Sequence, residues 1–401
     1  MTFVKNTFDF HTKQGLYQHI EETLAFYYPA AIDSSYGGYH EGYYLDGTLT
    51  EDTTKHIVGQ ARHLYNFSVG FKLTEKIEYR EAAEHGISFF QEALWDKEYG
   101  GYFTELKNGS VTDDKKLTYG HAFIFRAAVA AVDAGIEGAE ELLSDIYQVL
   151  EERFYEPSAK LYKDEASRDW SSFLEYRGQN CNMHICESAI TAYETTGQQR
   201  YLDQALNIAD QVTNKLAAQS NGLIWENYDE AWMKNEQFNH GETRDEFRAY
   251  GFVGGHQFEW SKLLAWLYIH KQDSGLLERA EELYQTGWNL YHDQNQGGIF
   301  FVMSPDKELI DKGKSYWVLA ETLAASALLH GQTGNDVYSE HYDELFRYVQ
   351  EHFIDPEHGA WYQWLTADNK VEDEVKSPSP KTDYHPISAS YLIATYRGED
   401  L

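Results

Sequence analysis

The chain has 401 residues, 42% hydrophobic and 15% aromatic, a globular composition with a surplus of rings. Its 33 Lys and Arg face 65 Asp and Glu, a net charge of −32 that repels phosphate backbones and anionic membranes, so neither nucleic acid nor a membrane is expected as a partner. No apolar run approaches a membrane span and MTFVKNTFDFHTKQ lacks an apolar signal core, so a cytoplasmic protein is expected.

Along the chain one pattern recurs six times. A turn rich in Asp, Glu and Gly is followed by a short aromatic strand: YYPAAIDSSYGGYHEGYYLDG, LWDKEYGGYFTELKNG, RFYEPSAKLYKDEA, LAAQSNGLIWENYDE, LYHDQNQGGIFFVMSPDKE and FIDPEHGAWYQWLTADNK. Aligned on Gly38, Gly101, Leu161, Gly222, Gly298 and Gly359, the steps are 63, 60, 61, 76 and 61 residues. The long step carries an insertion around Lys234 to Arg248.

Each turn lies between two predicted helices. An amphipathic one precedes it, as in EYREAAEHGISFFQEAL and LERAEELYQTGWNLY. A more apolar one follows, as in HAFIFRAAVAAVDAG and AETLAASALLHG, with Gly135, Gly197 and Gly331 read as C-caps. Six such pairs predict an all-α, single-domain (α/α)6 barrel over residues 1–401, with short β-hairpins at one end. An open solenoid is the rival, but solenoid repeats run to roughly 34–47 residues and lack a hairpin in every unit.

If the inner helices run parallel, their first turns gather around one mouth. Those starts supply Arg62, then Tyr119 and His121, then Asn180 and His184. They continue with His256 and Glu259, three apart on one helix face, then Lys314, Trp317 and Glu321, and finally His385. Helix N-termini favour developing oxyanions and disfavour imidazolium, so histidines there suit proton transfer. Each residue also has a plainer reading: a capping or packed histidine, an Arg62 paired with an acid, a Trp317 in the core, a Glu321 neutralising Lys314. Recurrence at one level of the barrel is what favours chemistry. His40, His63, His85 and His270 read as structural or surface, and His240 lies unassigned in the insertion.

No metal or cofactor is expected. The chain has no HExxH, no acidic calcium loop, no Gly-rich phosphate loop and no GxSxG elbow. Cys181 and Cys186 lie five apart in one predicted helix, a poor spacing for a disulfide.

The segments YRGQNCNMHICESAITAYETTG, FRAYGFVGGHQFEWSKLL, KSYWVLAETLAASALLH and KTDYH together resemble the N-acylglucosamine 2-epimerase superfamily, over essentially the whole chain. The YWVLAE and NMH wording is most similar to its branch of mannose isomerases and sulfoquinovose-type aldose–ketose isomerases. The resemblance implies an (α/α)6 barrel in which His256 and His385 form the acid/base pair and Glu259 assists. It implies that His184 binds the sugar and helps open its ring, and that Arg62 holds hydroxyls and an enediolate. Asn180, Tyr119, Trp317 and Glu321 would line the pocket, and His121 shares their level. The expected activity is interconversion of D-mannose and D-fructose, with tolerance for D-lyxose, on a monosaccharide partner. Alternatives are a sugar 2-epimerase (mannose/glucose, cellobiose or N-acylglucosamine), a glycoside hydrolase using Glu259 and Glu321, and a non-catalytic scaffold. Monomer and homodimer both remain open.

Overall fold

A computed structural model describes residues 8–245 and 247–396. Twelve α-helices alternate between two layers. The outer ones are α1 (Lys13–Tyr27), α3 (Ile77–Phe89), α5 (Ala139–Val149), α7 (Gln199–Asp210), α9 (Ser274–Tyr291) and α11 (Asp336–His352). The inner ones are α2 (Ile57–Thr74), α4 (Thr118–Asp133), α6 (Gln179–Thr196), α8 (Gly254–Lys271), α10 (Tyr316–Thr333) and α12 (Tyr384–Tyr396).

Inner helices pack on one another in order, α2 on α4, α4 on α6, α6 on α8, α8 on α10 and α10 on α12; α12 then returns to α2 and closes the ring. The predicted barrel is therefore the observed one. Burial explains the two layers. On α8 every residue from Gly254 to Leu267 is buried. On α7 only Tyr201, Leu202, Ala205, Ile208 and Ala209 are, one stripe at helical spacing with polar residues outside it. Gly197 caps α6 in the left-handed region (φ 68°). Gly331 does not cap α10 as expected; it lies within the helix, and Gly334 (φ 64°) ends it three residues later.

Short antiparallel strands form a second ring at the N-terminal ends of the inner helices. Thr54–His56, leading into α2, pairs with Glu105–Lys107 of the next unit. The lead-ins to α4, α6, α8 and α10 pair forward in the same way, and Val375–Ser377, leading to α12, pairs back with Tyr43–Tyr44. Chain ends thus meet at one seam, where Tyr27 Oη also donates to Asp383 Oδ2 over 3.0 Å.

The acidic turns have a structural task that the sequence did not disclose. Asp33, Asp96, Asp293 and Asp355 each accept two backbone N–H groups of their own turn through one carboxylate oxygen. Each also meets a buried lysine of the lead-in strand: Lys55 at 2.8 Å, Lys116 at 3.0 Å, Lys314 at 3.0 Å, and Lys376. Lys314 is therefore committed to Asp293, and Glu321 does not neutralise it. A further clasp comes from the fourth residue of an inner helix. Gln60, Asn182 and Gln257 each accept the backbone N–H and donate to the C=O of one hairpin residue, Tyr39, Tyr162 and Ile224 respectively.

Candidate active site

The second, sixth and ninth residues of the inner helices face the barrel axis and stack in layers. Tyr119, Asn180, Trp317 and His385 are second; Arg62, His184, Glu259 and Glu321 are sixth; Arg126, Glu187 and Lys262 are ninth. His256, third on α8, joins the upper layer.

A pocket opens above them. Arg62, Tyr119, Asn180 and His184 line one side, and His256, Glu259, Trp317 and His385 the other. Of the residues singled out from sequence, Glu321 sits just beneath this lining. His121 is not in the pocket at all. Its Nε2 accepts Tyr102 N–H (3.1 Å) and its Nδ1–H donates to Leu117 C=O (2.8 Å). It is the fourth residue of α4, the counterpart of Gln60, Asn182 and Gln257, so its ring holds a hairpin and faces away from the axis. Sharing a first turn with Tyr119 misled the sequence reading; a two-residue step turns the side chain by roughly 200°.

Two histidine–carboxylate dyads flank Trp317. His256 Nδ1 lies 2.8 Å from Glu226 Oε1, and His385 Nδ1 lies 2.7 Å from Glu321 Oε1. A carboxylate accepts, so each Nδ1 carries the proton of its bond, with Gln179 Nε2 also 3.0 Å from His256 Nδ1, and His385, held neutral by burial, keeps the lone pair on its Nε2. Gln179 fixes the first dyad: its Oε1 accepts Trp260 Nε1–H (2.7 Å), which turns its amide nitrogen to Glu226 Oε2 (2.8 Å). The Trp317 ring centroid is 5.0 Å from that of His256 and 5.8 Å from that of His385. Gly255 makes this possible, because a Cβ there would stand 2.4 Å from the indole. His256 and Glu259 do not bond to each other despite sharing a helix face; His256 meets Glu226 from the preceding hairpin, and Glu259 faces Lys262 of its own helix and His184 of α6.

Below the dyads lies a buried charged cluster. Lys262 Nζ is 2.5 Å from Glu321 Oε2, 3.0 Å from Glu187 Oε1 and 3.6 Å from Glu259 Oε1. Burial opposes the charge on Glu187, but Lys262 and Arg126 hold its carboxyl well below the usual range. Glu259 is pushed well up, by burial first and then by the charge of Glu321. Glu321 is also raised, chiefly by burial, with Lys262 opposing. Burial and the Arg62 charge keep His385 far below its ordinary value; burial lowers His184 to about 4 although Glu187 opposes. Among the described residues, His184, Glu187 and Glu259 have donor atoms close enough together to suit a metal ion. The Lys262 ammonium takes the cation's place between the two carboxylates, so we do not read them as metal ligands.

Arg62 lines the same pocket. Its Nη1 donates to Pro380 C=O (3.2 Å) and its Nη2 to Tyr119 Oη (3.3 Å), with the guanidinium 4.5 Å from the Phe123 ring centroid. This fixes a cation in the pocket wall beside the His385 dyad and across the ring from the His256 dyad, where an oxyanion would be stabilised.

Sequence reasoning missed the rim. Arg244 and Asp245 from the insertion, with Phe301, Trp364 and Lys381, complete the pocket. Arg244 donates to Asp311 (2.6 and 3.0 Å) and to Glu372 (2.6 Å) and stacks on Trp364 at 4.2 Å. The inserted length was the available signal: extra residues in one repeat reach over the mouth. Glu226 was legible only as the acid of the aromatic strand IWENY, since nothing in the sequence brings that strand to α8.

Comparison with known proteins bears on the family and the fold. The N-acylglucosamine 2-epimerase (GlcNAc 2-epimerase) family model matches residues 37–389. A D-mannose isomerase of Marinomonas mediterranea is 36% identical over 385 residues, covering 96% of this chain and 97% of that protein. A crystal structure of a D-mannose isomerase superposes with a TM-score of 0.93 at 36% identity, over 96% of this chain and 98% of that one. A cellobiose 2-epimerase of Bacteroides fragilis is 23% identical, over 90% of this chain and 93% of that protein. The chain belongs to the N-acylglucosamine 2-epimerase family.

Proposed function

We propose that the chain is an aldose–ketose isomerase that interconverts D-mannose and D-fructose. The carrying observation is the pair of His–carboxylate dyads on either side of Trp317, with the Arg62 guanidinium in the same pocket. Isomerisation moves two hydrogens within one sugar, so no outside oxidant or reductant is required. His385 Nε2 takes the C2 proton of the open-chain aldose and the enediolate forms. Arg62 and the helix N-termini stabilise its negative charge. His385 returns the proton to C1 while His256 moves the hydroxyl proton from O2 to O1. His184 and Glu259, the latter raised toward its neutral form, open the pyranose ring. Asn180 and Tyr119 hold hydroxyls. D-Lyxose, which shares the C2 and C3 configuration of mannose, is expected as a slower substrate.

The second reading is a 2-epimerase, which returns the proton to C2 from the opposite face, where the His256 dyad stands. We take the rim to favour the isomerase of a single sugar, because Arg244, pinned by Asp311 and Glu372, lines the pocket at its mouth. Glu259 and Glu321, the pair a glycoside hydrolase would use, share one ammonium and so do not stand as two opposed carboxylates.

NMR of the protein with D-mannose in D2O tests this. Fructose carrying deuterium supports the isomerase and its enediolate. Glucose as the early product moves the assignment to the 2-epimerase, and unchanged sugar with no exchange rejects both.

A further inference from the structure

We propose that Lys262 is a positioning residue for this reaction: its buried ammonium keeps Glu321 as the anion that orients His385 for proton transfer. The inference rests on the proposed role of His385.

Lys262 cannot act on the sugar itself. It is 2% exposed, lies in the ninth-residue layer and does not line the pocket. Its reach is through Glu321, whose two oxygens divide their work. Oε2 takes the ammonium at 2.5 Å and Oε1 takes His385 Nδ1–H at 2.7 Å. The result is a three-group relay, ammonium to carboxylate to imidazole, whose outer end is the Nε2 lone pair.

The surrounding charges make Lys262 hard to replace. His184 and Glu187 of α6 face Lys262 and Glu321, Arg126 of α4 faces Glu187, and Arg62 of α2 and Lys381 of the α12 lead-in face His385. From α8 comes Glu259, and from α12 Tyr384 and His385. Three carboxylates meet here, and Arg126 forms an ion pair only with Glu187, at 4.0 Å. Among the described residues Lys262 is the one Lys or Arg in ion-pair contact with Glu321 and Glu259. Without it, Glu321 is a carboxylate buried beside a neutral histidine, and uptake of a proton is the favourable response. Protonated Glu321 donates through its O–H to Nδ1. The imidazole proton then resides on Nε2, and the lone pair that faced the sugar is gone. One cation thus selects the tautomer of a ring it does not touch.

The test compares wild type with Lys262→Met and with the double variant Lys262→Met/Glu187→Gln, which removes one charge of each sign. Three quantities are measured: the 15N ring signals of His385 without sugar, the pH profile of kcat/KM on D-mannose, and kcat against KM. In the single variant the ring proton is expected to move from Nδ1 to Nε2. Its kcat should fall on the order of 100-fold with KM little changed, and the acid limb should rise by about one pH unit or more. The double variant, which restores charge balance and so protects folding, should keep the tautomer change and the displaced limb. An unmoved limb with Nδ1–H intact in either variant, or full recovery in the double variant, overturns the proposal and leaves Lys262 a charge-balancing residue. A switched tautomer in a protein whose wild type ignores mannose upholds the Lys262 relay and rejects the substrate reading alone.

Discussion

Glu226 and His256 lie thirty positions apart, in an aromatic strand and on the helix that follows it, and their side chains meet at 2.8 Å. That bond sets which nitrogen of His256 faces the pocket. Glu226→Ala removes the acceptor while Gln179 remains. Loss of correctly oriented general acid–base catalysis is worth about 10²–10⁴ in rate, so kcat on mannose should fall into that range with the helical circular dichroism unchanged. Wild-type turnover would remove Glu226 from the site.

His121 separates a structural role from a catalytic one. His121→Gln preserves both an acceptor and a donor at a position where Gln60 and Gln257 already work, and should leave kcat and KM within twofold. His121→Ala strands the buried Tyr102 N–H and should cost about 1–3 kcal/mol of stability, read from denaturant midpoints. A raised KM in the glutamine variant, with stability intact, would return His121 to the substrate.

Gly255 is required by packing. A methyl group 2.4 Å from the Trp317 ring and 2.8 Å from Val318 forces the indole to move. Gly255→Ala should destabilise by about 1–3 kcal/mol through overpacking and lower kcat more than its thermal shift explains, because Trp317 packs against the rings of both His256 and His385. Assay at a temperature where the variant is fully folded distinguishes the two effects.

Acid should unfold this protein through its buried neutral histidines. His63, packed among the rings of Tyr27, Tyr39 and Phe67, is lowered by burial to about 3, and His184 to about 4. The folded state then binds fewer protons than the unfolded chain, so stability falls as pH drops from about 6.5 toward these values. His63→Phe should flatten that decline in thermal melts between pH 6.5 and 4 without altering activity at pH 7. An unchanged slope would place the acid sensitivity elsewhere.

Arg244→Ala removes the residue that bridges Asp311 and Glu372 over the mouth. The expected result is a weaker KM for mannose and the appearance of turnover on cellobiose or other β-1,4-disaccharides, followed by chromatography of the products. Unaltered selectivity would show that the rim does not limit substrate length.

The barrel was legible because its period is long and regular: six turns with glycines or equivalent residues in step, each between a striped helix and an apolar one. The axis-facing residues were legible because recurrence at helix starts marks them. What failed was angular resolution. His121 and Tyr119 differ by two positions and face opposite ways, and only hairpin contacts show it. Glu321 and Lys262 could not be matched to their partners, since the Lys262–Glu321 and Glu321–His385 pairings cross between repeats, and Glu226 is separated from His256 by the insertion. Lys262 sits within HQFEWSKLL, where an amphipathic pattern gives no reason to bury a lysine.

The seam has a consequence for how activity arises during synthesis. His385 belongs to the last inner helix, and that helix is held by α2 and by the Tyr27–Asp383 bond from the opposite end of the chain. Every earlier inner helix is synthesised before His385 and before the ring can close. Under the mechanism proposed above, a copy that stops short of α12 lacks the group assigned to the C2 proton and is expected to be inactive on mannose. Docking of α12 against α2 is then the folding step on which that activity waits.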